Sequence, residues 1–298
     1  MHQEIVDAAT ACGQLLRSQW LQGPLPYRRK ADDSMQTEWD VLVEERLSEV
    51  IARVDPAAVI IGEEASGGRF RSSWTPGTSM YFIDPIDGTG TFVAREFAYC
   101  VSVTRIARDG ALSAVIVRPA YEEVCVIDGS GIHCVQFGFS VPLLPAALPR
   151  FSPLQALTSF APGDLLLTHS QMHRSVISKF PGKTRSFGSL IYHALSVARG
   201  GAVAALLPVG EPWDRLPILA IMGALGGELS VLHGAPLTVP QLLAQEFHGS
   251  CSCTPMLIAA HPGTRALLEP MLESVCCAAR MMSRFREMRG ELDEQAQG

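Results

Sequence analysis

The residues of this chain best suited to chemistry are carboxylates, and they come in three clusters. Glu63 and Glu64 follow the apolar run Val59-Ile60-Ile61. Asp84 and Asp87 follow Tyr81-Phe82-Ile83 within DPIDGT. Asp214 follows a strand-like run at 202–207 in EPWD and opens a helical pattern. Loops at strand ends are where a rigid scaffold presents binding groups. Taken singly, such acids are common as solvated loop residues, and an aspartate opening a helix is commonly a cap. DPIDGT carries more information: Pro85 fixes the turn, Gly88 lets the backbone approach a ligand closely, and Thr89 adds a hydroxyl. Hard oxygen ligands at this density suit Mg²⁺, which takes about six oxygens and favours carboxylates plus a substrate phosphate. Without a cation the same groups repel and raise one another's pKa. Metals separated by roughly 3.5–4 Å relieve that repulsion and activate a water in the same step.

The elements that must hold these groups follow from periodicity. Residues 2–20 carry the helical stripe Ile5, Ala8, Ala9, Cys12, Leu15 and Leu16, and residues 39–54 the stripe Trp39, Val43, Leu47, Val50, Ile51 and Val54. Short apolar strands at 59–61 and 81–83 end at the acids. Further strands are expected near 99–106, 112–118 and 122–127, with DG and GSG turns among them. The Pro- and Ala-rich stretch 136–163 reads as a linker. Residues 189–199 and 214–226 read as helices, and 263–295 as a helical tail. Strands first mix with helices and then segregate, which predicts an α+β or layered α/β class. The expected division is an N-terminal α+β subdomain, 1–140, with the main metal ligands, and a C-terminal α/β subdomain, 141–298, forming one catalytic unit.

At 298 residues, 47% hydrophobic and 18% charged, the chain can bury a sizeable core. A net charge of −6 argues against nucleic acid, which needs a basic face. No apolar run approaches the roughly 20 residues of a membrane helix, and the first twenty residues lack a targeting pattern. The eight cysteines contain no C-x-x-C pair, which argues against zinc; they read as mostly buried free thiols in a reducing compartment. The matching expectation is a cytoplasmic protein that binds neither nucleic acid nor membrane, with an anionic small substrate left open if a cation screens the acidic site.

GEE at 62–64, DPIDGTGTF at 84–92 and PWD at 212–214 followed by Gly226-Gly227 resemble the inositol monophosphatase family of Mg²⁺-dependent, lithium-sensitive phosphatases. KADDSMQTEWDVLVEERL upstream and FGSL at 187–190 resemble further segments of that family. The resemblance covers roughly residues 5–270. It implies an αβαβα sandwich of the sugar-phosphatase type. It also implies two to three Mg²⁺ ions on Glu63, Asp84, the carbonyl of Ile86, Asp87 and Asp214. Thr89 and Asp40 would position and deprotonate the attacking water beside Glu63. The phosphate and substrate would meet Asp87, Gly88, Thr89, Gly188 and Ser189. The implied activity is hydrolysis of an inositol-1-phosphate-like polyol or sugar phosphate. Histidinol phosphate, 3′-phosphoadenosine 5′-phosphate and fructose 1,6-bisphosphate are alternatives within that chemistry, and a catalytically silent regulatory member is the alternative outside it.

Three positions depart from the family. Thr91 stands where an asparagine is usual. Pro217 replaces an alanine, which requires the helix to begin near Asp214 so that the proline falls in its first turn. Leu207 stands where inositol phosphatases carry a ring-binding glutamate, with Glu211 the nearest substitute. His169 and His173 have a metal-like spacing but read as core or surface residues. Of Arg28-Arg29-Lys30, only Lys30 matches a family position near the site.

Overall fold

The computed structural model describes residues 1–31, 33–67, 77–137, 151–172, 175–244 and 256–274. Helices α1 (Gln3–Gln22) and α2 (Glu38–Val54) flank a hairpin of β1 (Arg28–Arg29) and β2 (Met35–Gln36). A six-stranded sheet follows, made of β3 (Val59–Gly62), β4 (Met80–Asp87), β5 (Cys100–Ile106), β6 (Leu112–Arg118), β7 (Glu123–Asp128) and β8 (Gly131–Gln136). The strands lie in that order. Only β3 and β4 are parallel. The short helix α3 (Thr89–Val93) leaves the end of β4.

The second half contains β9 (Leu165–Thr168), β10 (Val176–Ser178), β11 (Lys183–Arg185), α4 (Leu190–Ala198), β12 (Ala204–Pro208), α5 (Pro212–Gly223), β13 (Glu228–Val231), α6 (Val239–Ala244), β14 (Met256–Ala260), α7 (Pro262–Leu268) and β15 (Leu272–Ser274). Five of these strands form a sheet in the order β11-β9-β12-β14-β13.

Alternation along the strands assigns each face to a layer. Tyr81, Ile83, Val101, Val103, Val115 and Val117 pack with Ile5, Leu16, Leu47 and Ile51 of α1 and α2. Phe82, Cys100, Ala114 and Ile116 point the other way, into a core shared with Ile191 and Leu195 of α4, Leu216 and Ile221 of α5, and Leu207 and Leu257 of the second sheet. Leu166, Leu206 and Ile258 turn outward to meet Leu268 of α7. The result is helix, sheet, helix, sheet, helix: the layered α+β sandwich expected. Each fully buried Leu, Ile or Val contributes roughly 1.5–3 kcal/mol, so three continuous cores fix the two sheets rigidly about the central helices.

Three sequence expectations need correction. The helix at 263 stops at Leu268, and the chain turns through Glu269–Met271 into β15, which pairs with β10; Pro270 cannot extend the helix. Residues 275–295, including Met281 and Met282, lie outside the described residues. The stretch 136–163 opens on Gln136, the last residue of β8; of the rest, 137 and 151–163 are described, without regular structure. Cys125 and Cys134 are not free thiols: they sit directly opposite each other on β7 and β8, with Cα atoms 4.1 Å apart, and form a disulfide. Cross-strand register, which C-x-x-C spacing does not capture, brings them together. Cys12 and Cys100 are buried and free; the other four cysteines lie outside the described residues.

Candidate active site

In a regular strand, residues three apart face opposite sides, so Asp84 and Asp87 would be separated by the sheet. The register against β5 shifts between them: Asp84 opposes Ser102, and Asp87 opposes Cys100. Three steps on β4 thus match two on β5, a bulge at Pro85-Ile86, where proline removes a ladder donor. The bulge keeps Ile86 in the core beneath α1 and α2 and turns both aspartates toward α4 and α5. Asp214 arrives from across the molecule as the third residue of α5, its Oδ2 accepting the Glu211 N–H at 2.7 Å. It therefore caps its helix. Because α5 begins at Pro212, Pro217 falls in the second turn, not the first, and cannot donate to the carbonyl of Trp213. Asp84, Asp87 and Asp214 each bring a carboxylate oxygen within 4.8 Å of the others.

Glu63 and Glu64 sit just past β3. Lys30, at the end of β1, reaches Glu63 Oε1 at 2.7 Å and Glu64 Oε1 at 2.8 Å, and Gln36 also donates to Glu64. The turn is braced from α2, where the Glu44 carboxylate accepts the N–H groups of Glu64 and Ala65, both at 2.7 Å. A Cβ on Gly62 would overlap that carboxylate, so glycine is required there. Asp40, the third residue of α2, accepts the Thr37 N–H and hydroxyl at 2.7 and 2.6 Å. Its other oxygen lies 3.0 Å from the Thr89 hydroxyl, which is also 3.0 Å from the Ile86 carbonyl.

Electrostatics set this cluster apart from a set of helix caps. Asp84 is 1% exposed, and its Oδ1 is buried without a hydrogen-bond partner. Burial, then repulsion from Glu63, Asp87, Asp214 and Asp40, pushes its pKa well up. Burial and the Asp87 charge push Asp214 up to about 7, against the lowering effect of the Glu211 N–H. Glu63 is pushed up to about 8 by burial, with Asp214 and Glu64 adding to it and Lys30 opposing. Burial raises Asp40 to about 6 despite its hydrogen bonds. A buried polar atom without a partner costs free energy, and crowded carboxylates add repulsion. A hard divalent cation removes both penalties, so this donor set fits Mg²⁺.

The remaining candidates divide by position. Gly88 has φ 90°, the left-handed region, and a Cβ there would lie 2.8 Å from the Ala98 carbonyl oxygen. Gly188, with φ 88°, packs against Thr91. Ser189 caps α4; its hydroxyl accepts the Tyr192 N–H and donates to Asp87 Oδ2 at 2.5 Å, while the N–H groups of Leu190 and Ile191 also donate to Asp87. Glu211 is the N-cap residue of α5, three residues before Asp214. Leu207 does not face the site: it is 1% exposed in the central core, where strand alternation places it. His169 is half-buried and accepts the Gln171 N–H through Nδ1; His173 lies outside the described residues. Sequence reasoning missed Glu44 and His193. Glu44 could have been found: it lies four residues after Asp40 on the buried face of α2. His193, inside the α4 stripe, gave no signal.

A family model described as the inositol monophosphatase family matches residues 1–260. A Streptomyces griseus protein named glucose-1-phosphate thymidylyltransferase is 26% identical over 209 residues, 70% of this chain and 76% of its own. A histidinol-phosphatase of Chlorobaculum parvum is 27% identical over 227 residues, 76% of this chain and 83% of its own. The crystal structure of inositol monophosphatase II from Staphylococcus aureus superimposes with a TM-score of 0.64 at 20% identity, covering 90% of this chain and 89% of that one.

Proposed function

The chain belongs to the inositol monophosphatase family, a family of metal-dependent phosphoric monoester hydrolases, and on that premise we propose that it is a Mg²⁺-dependent phosphatase of small phosphate monoesters. The observation that carries the reading is the convergence of Asp84, Asp87 and Asp214 from two halves of the chain, the first two buried and the third half-buried, with Asp84 Oδ1 unpartnered.

Asp84, Asp87, Asp214, Glu63 and the Ile86 carbonyl would hold two to three Mg²⁺ ions. When bound, these ions supply positive charge that acidifies a water and offsets the charge developing on the leaving oxygen. The protein's own part follows from its hydrogen bonds. Asp40, with its pKa near 6, accepts from the Thr89 hydroxyl and so orients that hydroxyl's lone pairs toward an incoming water. A proton leaving the water passes to Thr89 Oγ1 as Thr89 donates to Asp40. Lys30 holds Glu63 and Glu64 in place. The amides of Gly88 and Thr89, in a turn that only a glycine fits without strain, would hold the phosphate. Ser189, already bonded to Asp87, fixes the carboxylate and places Gly188 at the cleft.

The proposed assembly is a cytoplasmic homodimer whose two subdomains, 1–140 and 141–298, act together: α5 carries Asp214 against β4 of the first. Polyol, sugar, histidinol and nucleotide phosphates all present the same phosphate to the carboxylates. The test is phosphate release from a panel of these, including glucose 1-phosphate with and without dTTP because of the Streptomyces relative. Mg²⁺-dependent inorganic phosphate supports the proposal. Pyrophosphate formed only with dTTP would replace it with nucleotidyl transfer.

A further inference from the structure

Phe187 stands directly before Gly188 and Ser189 and is 37% exposed, yet it is held at every polar backbone atom. Its N–H donates to His193 Nε2 at 2.9 Å, and its carbonyl accepts from Thr91 Oγ1 at 3.3 Å. Thr91 is the residue that departs from the family's asparagine, and the hydroxyl it supplies is the one that ties down this carbonyl. His193 is 1% exposed, and burial pushes its pKa down to about 4, so Nε2 remains an acceptor at ordinary pH. The Phe187 ring meets Tyr192 edge-on, 5.6 Å between centroids, and lies 5.9 Å from the His193 ring. Tyr192 is braced in turn by Tyr121, at 5.9 Å.

Single exposed apolar residues need no explanation. A ring fixed by two backbone hydrogen bonds and two aromatic neighbours is different, because its binding face loses no conformational freedom when a ligand arrives. The location adds to this. Ser189, two residues on, bonds Asp87, and two residues span at most roughly 8 Å. The Phe187 backbone therefore lies beside the Asp87 contact, just before the N-terminus of α4. An aromatic face attracts another flat π system, whereas it can satisfy none of the hydroxyls of a polyol.

We propose that Phe187 is a specificity-determining residue whose exposed face stacks on a planar ring of the leaving group, so that imidazole- or purine-bearing phosphate monoesters are preferred over polyol phosphates. This rests on the phosphatase reading above. The experiment measures kcat and KM with Mg²⁺ for histidinol phosphate, 3′-phosphoadenosine 5′-phosphate, inositol 1-phosphate and glycerol 2-phosphate, in the wild type, Phe187→Ala and Phe187→Tyr. At least one ring-bearing substrate should have the highest kcat/KM in the wild type. Phe187→Ala should lower that value about tenfold more than the glycerol 2-phosphate value, mainly through KM, as loss of one base-stacking contact does. Phe187→Tyr should restore it. A wild type that prefers the polyols, or an equal loss on all four substrates, would overturn the stacking role and leave the phosphatase reading intact. Absence of Mg²⁺-dependent phosphate release from all four would overturn both.

Discussion

Replacing Asp214 with asparagine should stabilise the metal-free protein while abolishing its turnover. Burial, with the Asp87 charge beside it, pushes the Asp214 carboxyl in the folded chain up to about 7, from an ordinary value of 3.8. A folded pKa above the unfolded one means that ionisation opposes folding. The penalty is absent below about pH 4, grows between pH 4 and 7, and is constant above. That rise is worth up to about 4 kcal/mol at pH 8, and less than half of that at pH 5. Asparagine keeps an oxygen that can accept the Glu211 N–H, so the cap on α5 survives. Thermal unfolding in EDTA should therefore show Asp214→Asn melting higher than wild type at pH 8, on the order of 10 °C at most, with a smaller gain at pH 5. Mg²⁺ at about a hundred times its Kd should stabilise wild type by about 2.7 kcal/mol and the variant by much less. A variant less stable than wild type in EDTA at pH 8, or a gain equal at both pH values, would refute the claim that uncompensated charge dominates this position.

Three further outcomes follow. Asp87→Asn should lower kcat at least roughly 10²-fold, the scale of losing one preorganised electrostatic group, with circular dichroism unchanged, because the one amide oxygen can still accept from the Ser189 hydroxyl and the Ile191 N–H, losing only the Leu190 N–H. Gly188→Ala should cost activity on every substrate, since its Cβ would lie 2.2 Å from Thr91 Oγ1 at a φ of 88°; urea unfolding alongside kinetics separates local displacement from global loss. Leu207→Glu should lower the denaturation midpoint by several kcal/mol equivalent, as a buried unpaired charge does, and should not improve inositol 1-phosphate hydrolysis, which a side-by-side kcat/KM comparison checks.

Much of this was legible in the sequence because it is local. The α2 stripe and the strands ending at acids are fixed by residues a few positions apart, and the structure reproduces them. The three aspartate groups were identifiable as a set, and their convergence could be expected from the family resemblance. What failed depended on register or side-chain direction. Counting seven residues back from Asp214 pointed at Leu207, but strand alternation turns that side chain into the core. The Cys125–Cys134 bond follows from pairing of β7 with β8, which no spacing rule contains. Pro217 was placed by assuming that α5 starts at Asp214, whereas Pro212, with φ already suited to a first turn, starts it two residues earlier. The bulge at Pro85-Ile86, which puts Asp84 and Asp87 on one face, is visible only against the partner strand β5.

The most direct test of the account is phosphate release by protein stripped with EDTA, assayed across a Mg²⁺ titration on a substrate the enzyme turns over. The account predicts no release without metal, recovery as Mg²⁺ is returned, and no recovery in Asp84→Asn, whose buried Oδ1 has no hydrogen-bond partner among the described residues. Full activity in excess EDTA, or Mg²⁺-independent activity retained by Asp84→Asn, would contradict it.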